Sequence, residues 1–299
     1  MITLLLALAP ALPVVQASPS TADVERLSAW PECADAPAVK RAVARLRKAH
    51  NPEMEAGGHA DVEAAGACAA PILLKWLGKE RDEATQERLT TALDAVTSPA
   101  HTRLLAEHFD DRVEAVQRFA VRRVAVLGDP GLREVAEARY DALAERAADP
   151  KKGSEVDPLD LDLAAVLCTS TGSQTGLDRV LALAQPEPWT EWKDTLSPAA
   201  THASASGTDV RDAVVRELAS AREAGAKGRQ QHVAALTLLA RVGGSEDAST
   251  VAPSLDDEAN QVLVAAINAL RMLVDGDPPL EKISTFDAIE RAGKWKARL

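Results

Sequence analysis

Two arginines, Arg118 and Arg122, stand four residues apart with Glu114 four before the first, a spacing that puts all three on one face of a helix. A guanidinium pair of that kind holds a carboxylate or an acidic peptide when it faces a groove, and is a solvated helix face when it does not. Two tryptophans, Trp189 and Trp192, lie three apart in a stretch with several prolines. Exposed indoles there would anchor a binding partner, and indoles folded back would pack on a neighbouring helix. Residue sets that carry catalysis are missing: there is no Gly-x-Ser-x-Gly, no phosphate loop and no His-Glu-x-x-His, so no catalytic residue and no cofactor is assigned. His101 and His108 share a helical face without a third ligand. Asp157, Asp160 and Asp162 are interleaved with leucines and lack the turn glycine of a calcium loop, so they read as a helix start and no metal is expected. Of the three cysteines, Cys33 and Cys68 lie near loops and are the better pair for a disulfide, while Cys168 sits in an apolar helix; three reduced thiols are the alternative.

The element that positions the arginines is the stretch 111–130. Val113, Val116, Ala120, Val124 and Leu127 recur three or four apart on one stripe, Asp111 can cap the start, and Gly128 with Pro130 ends it. The same frame returns elsewhere: moved on by 146 it falls on Asp257, Val262, Ala266, Leu270 and Leu273. Moved back by 31 it falls on Leu89, Leu93 and Val96, and moved on by 115 on Ala235, Leu239 and Val242. A period near thirty in a helical pattern is what stacked helix pairs produce, because one pair cannot bury its apolar face alone. The positions of Arg118 and Arg122 become Val264 and Asn268 in the last copy, so no basic stripe runs through all units.

The run from Asp110 to Pro130 and its copy from Asp256 to Asp275 resemble HEAT repeats of the short, bilin-lyase-associated type. The resemblance covers roughly 64–130 and 225–275. Gln117 and Leu263 stand where such repeats usually carry a basic residue after the helix valine, which departs from their ladder of paired charges and leaves the packing frame intact. The resemblance implies an all-α fold, an α-solenoid of about five stacked helix pairs. It also implies two functional classes, a protein-binding scaffold and an enzyme related to bilin lyases.

Composition fits a helical array. The chain is 46% hydrophobic and only 3% aromatic, so the interior must be built from Ala, Leu and Val, which suit close helix pairs. At 299 residues it exceeds what one compact core usually serves, a limit that stacked units escape. The net charge of -11 argues against non-specific binding to nucleic acid or anionic lipid.

In chain order, 1–17 has no charged side chain, carries an apolar run broken by Pro10 and Pro13, and ends Val15-Gln16-Ala17 before Ser18. That pattern predicts a cleaved signal peptide, too short to span a bilayer, and hence a periplasmic or secreted protein with no stable membrane insertion. N-terminal helices over 22–30 and 37–50 form a cap region within 18–60, and 51–59 with Pro52, Gly57 and Gly58 reads as a loop. The repeat array follows over 61–284, interrupted near 185–208 by an irregular insertion that holds Trp189 and Trp192. A capping helix over 285–299 is expected to close the last repeat with Phe286, Ile289 and Trp295. The expected function is a non-enzymatic scaffold for a protein or peptide partner outside the cytoplasm; a passive structural role in the envelope is the remaining class.

Overall fold

A computed structural model describes residues 25–150 and 153–299, so the expected signal peptide lies outside the described residues. These residues form helices and no strand. In order they are α1 (Ala36–Arg47), α2 (Pro52–Ala65), α3 (Ala70–Leu77), α4 (Glu83–Val96) and α5 (Thr102–Ala106). Then come α6 (Glu114–Leu127), α7 (Arg133–Ala148), α8 (Pro158–Ser170), α9 (Leu177–Leu183) and α10 (Pro186–Ala205). The last are α11 (Asp209–Glu223), α12 (Arg229–Val242), α13 (Ala248–Val251), α14 (Asn260–Leu270) and α15 (Thr285–Arg298). Sequence neighbours pack in pairs, α1 on α2, α3 on α4, α5 on α6, α7 on α8 and α11 on α12. In addition α4, α6, α8, α10, α12 and α14 each touch the next, so these six helices form one continuous set of contacts.

Local chemistry sets the helix ends. Asp35 accepts from the Ala38 amide at 2.8 Å with Pro37 in the first turn of α1, and Ser284 accepts from the Asp287 amide at 3.1 Å to start α15. Capping of this kind contributes about 1 kcal/mol per helix end. Packing supplies the rest: Leu46, Leu93, Val124, Leu167, Leu239 and Leu270 are fully buried, each stabilising by about 1.5–3 kcal/mol relative to exposure.

Four expectations need correction. The stretch 51–59 is helical, not a loop: Asn51 accepts from the Met54 amide at 2.8 Å and Pro52 opens α2. Gly58 serves packing there, since a Cβ on it would come within 3.0 Å of the Leu46 Cα. Residues 25–30, expected to be helical, run without helix along the start of α5. The Leu27 amide donates to the Ala100 carbonyl at 2.8 Å, Trp30 stacks on His101 with centroids 5.2 Å apart, and Arg26 pairs with Asp129 at 2.9 Å. Burial works to raise the Asp129 carboxyl, but its bonds from Arg26 and Thr102 outweigh that and hold it below the usual range.

The third correction concerns 185–208, where α10 replaces the expected irregular insertion. Pro186 and Pro188 sit in its first turn, where no intrahelical N–H is required. Pro198 removes one interior bond, and burial of Leu196, Ala199, Ala200 and Ala203 against α6, α8 and α12 outweighs that loss. At the C-terminus, α15 buries Ala288, Ala292 and Trp295, while Phe286 and Ile289 remain 77% and 61% exposed. Trp295 therefore packs onto α14 and the other two do not.

A disulfide joins Cys33 to Cys68, with Cα atoms 5.2 Å apart. It ties the segment before α1 to the turn before α3. Cys168 is a buried free thiol in α8, pushed up to about 12 by burial.

Candidate functional site

The helix α10 divides two grooves. Trp189 lines a larger one, about 1300 Å³, between α10, α12, α14 and the segment 278–284. Trp192 lines a smaller one, about 490 Å³, with Arg118, Arg122 and Phe119 of α6. Although only about 60° apart around the helix, the two indoles line different grooves, so they do not form one anchor.

The two arginines share a groove but are already neutralised. Arg118 donates to Asp157 at 2.6 Å and to Asp160 at 2.7 Å, and pairs with Glu114. Arg122 donates to Asp94 at 2.7 Å. Asp157 also accepts from the Leu159 amide at 2.9 Å as the N-cap of α8. Asp157 and Asp160 thus start a helix and hold Arg118, while Asp162 pairs with Arg179 at 2.7 Å. An incoming carboxylate would have to displace these partners, through which Arg118 and Arg122 tie α6 to α8 and α4.

The larger groove holds a cation of a different kind. Arg241, in the last turn of α12, donates through Nε to the Ser197 hydroxyl at 2.9 Å and through Nη1 to the Thr237 carbonyl at 2.7 Å. Its guanidinium carbon lies 4.4 Å from the centre of the Trp189 ring. Among the described residues no carboxylate forms an ion pair with it, and burial lowers its pKa to about 10. The groove floor around it is apolar, built by Val233, Leu236 and Ala240 of α12 with Val264 and Met272 on the α14 side.

The rim is fixed by an asparagine clasp. Asn268 accepts from the Leu280 amide at 2.8 Å and donates to the Leu280 carbonyl at 3.2 Å. Arg271 adds a bond to the Pro278 carbonyl at 3.3 Å and an ion pair to Asp277 at 3.0 Å. Asn260, on the same groove, keeps a buried Oδ1 without a partner.

The repeat frame identifies the lining face correctly but not the charge on it. Shifted on by 115, the positions of Arg118 and Arg122 are Val233 and Thr237, and by 146 they are Val264 and Asn268. All four line the larger groove. Arg241 went unnoticed although it carries a signal: in the same frame the other copies have Ala95, Val126 and Met272 at its position. A charge where the copies are apolar marks it.

His101 and His108 do not converge. His101 is buried under Trp30 and accepts from Ser98, while His108 bonds Asp111 at 3.3 Å. Among the described residues no group of three or more His, Cys, Asp or Glu comes together to hold a metal ion, and no helix is long and apolar enough to cross a membrane. No family model, curated protein or solved structure matches this chain.

Proposed function

We propose that this chain is an exported, non-enzymatic α-solenoid of HEAT-like repeats that binds a protein or peptide partner in the periplasm or cell envelope, and that the larger groove is its contact surface. The observation that carries this reading is the groove itself. Its volume of about 1300 Å³ exceeds the ~300–1,000 Å³ usual for small-molecule pockets. It combines an apolar floor with an indole, a guanidinium and a rim of loop backbone, the mixture that peptide grooves use for affinity and orientation. The Cys33–Cys68 bridge supports an oxidising compartment, where such bonds persist. The repeat frame supports the HEAT-like reading, and the successive contacts of α4 to α14 are compatible with it.

The test is selection of displayed random peptides on the full chain, in parallel with Ala265→Trp, a substitution on a half-buried lining residue that obstructs the groove. The expected result is a family of related peptides enriched on the wild type and lost on the variant, with helical circular dichroism unchanged. Equal enrichment on both proteins would place binding elsewhere and overturn the assignment of this groove.

A further inference from the structure

We infer that Arg241 is the carboxylate-recognition residue of the larger groove, and that its ligand is an extended peptide carrying a glutamate or aspartate at one fixed position. This rests on the groove being a peptide site.

The first observation is the uncompensated cation. Arg241 is partly buried, and both of its protein acceptors, the Ser197 hydroxyl and the Thr237 carbonyl, are neutral. Nη2 has no protein partner, and Nη1 has one hydrogen left after its bond to Thr237. The Nη1/Nη2 end of the fork is therefore available, and it matches the two oxygens of a carboxylate. Trp189 covers the face of the guanidinium at 4.4 Å, which fixes the plane in which such a group must arrive. A partly buried cation with only neutral partners is poorly compensated, and a carboxylate is the group that supplies both the opposite charge and the bidentate geometry.

The second observation explains why the chain does not supply that carboxylate itself. Asp194 and Glu281 line the same groove, and neither pairs with Arg241. Elsewhere the fold does provide such partners, as Arg118 has Asp157 and Asp160 and Arg211 has Asp247 at 2.7 Å. The third observation selects a peptide over a free acid. Residues 281–283 on the rim lend no backbone group to a hydrogen bond among the described residues, and Asn260 Oδ1 is an unused acceptor. Main-chain groups of an extended ligand complement both.

The experiment takes one peptide from the selection above and its amide counterpart, with Glu→Gln or Asp→Asn, and titrates each calorimetrically into the wild type, Arg241→Met and Arg241→Lys. Methionine is the residue at the equivalent place, Met272, and fills similar volume. Selected peptides are expected to share one acidic position, and the amide counterpart to bind the wild type about tenfold or more weakly. Arg241→Met is expected to bind both peptides alike, at the affinity the wild type has for the amide, which also shows that the variant is folded. Arg241→Lys is expected to retain part of the discrimination. Enriched peptides with no shared acid, or discrimination undiminished in Arg241→Met, would overturn the role of Arg241 while leaving the groove as a peptide site. Failure of the wild type to enrich any peptide over Ala265→Trp would overturn both.

Discussion

Gly128, at the end of α6, allows a sharp prediction because two penalties meet there and can be separated. Its φ of +68° is one that L side chains rarely adopt, and a Cβ on it would lie 2.3 Å from Cγ of His202. Gly276 has the same φ of +68° with nothing within 4 Å of its Cβ position, but its ψ of 15° is left-handed helical, whereas Gly128 at ψ 124° lies outside that region. Left-handed backbone costs an alanine about 1–2 kcal/mol, and this is the whole expected loss for Gly276→Ala. In Gly128→Ala the His202 ring must also move. Its Nε2 donates to the Val126 carbonyl at 3.0 Å, a bond worth about 1 kcal/mol, and forced repacking adds about 1–3 kcal/mol. Gly128→Ala is therefore expected to lose at least about 2–4 kcal/mol more than Gly276→Ala, read from urea unfolding followed by circular dichroism. In a His202→Ala background the ring and its bond are gone, and the extra loss should shrink by about 2–4 kcal/mol, leaving only the difference in backbone cost. Equal losses at the two glycines, or an excess that His202→Ala leaves undiminished, would refute the claim that His202 locks α10 onto the end of α6.

Two further outcomes follow from the same structure. Replacing Cys33 and Cys68 together by alanine opens a loop of 35 residues and is expected to cost about 3–4 kcal/mol; reductant should lower the wild-type unfolding midpoint to that of the variant, and an intact mass unchanged by reductant would defeat the prediction. His101, His202 and His232 are all held below the ordinary histidine value of 6.5, in each case first through burial. A base whose folded pKa is depressed stabilises fully above its unfolded value and less as pH falls past it, so the melting temperature should begin to drop below about pH 6.5. Asp129 and Asp247, lowered from 3.8, weaken the fold only at more acid pH. His202→Gln keeps a donor for the Val126 carbonyl and should flatten the drop between pH 7 and 5 relative to wild type, as thermal melts would report.

The helices that repeat the frame were legible. The stripes at Leu89, Leu93 and Val96 and at Ala235, Leu239 and Val242 fall in α4 and α12 because large apolar side chains recur at helical spacing. By contrast, α6 and α14 begin at Glu114 and Asn260, three residues past the expected caps Asp111 and Asp257. The helix α10 was not legible, since its buried stripe is Leu196 followed by Ala199, Ala200 and Ala203, and alanines with three prolines look like a loop. Similarly, α2 hides behind Pro52, Gly57 and Gly58, although the prolyl start and the close approach of Gly58 to Leu46 are helix features. The candidate site was half visible. A frame assigns the lining face, and it also sees Glu114 beside Arg118, but Asp94, Asp157 and Asp160 come from other helices and no local spacing announces them. The same blindness hid Arg241, whose importance lies in acids that do not reach it.

The wall that α10 forms is shared by the two grooves. Trp189 and Trp192 lie on adjacent faces of it, about 60° apart around the helix axis, and line one groove each. An occupant of one groove that displaced α10 would therefore reshape the wall of the other. Two ligands coupled in that way would each have to alter the other's affinity by the same factor.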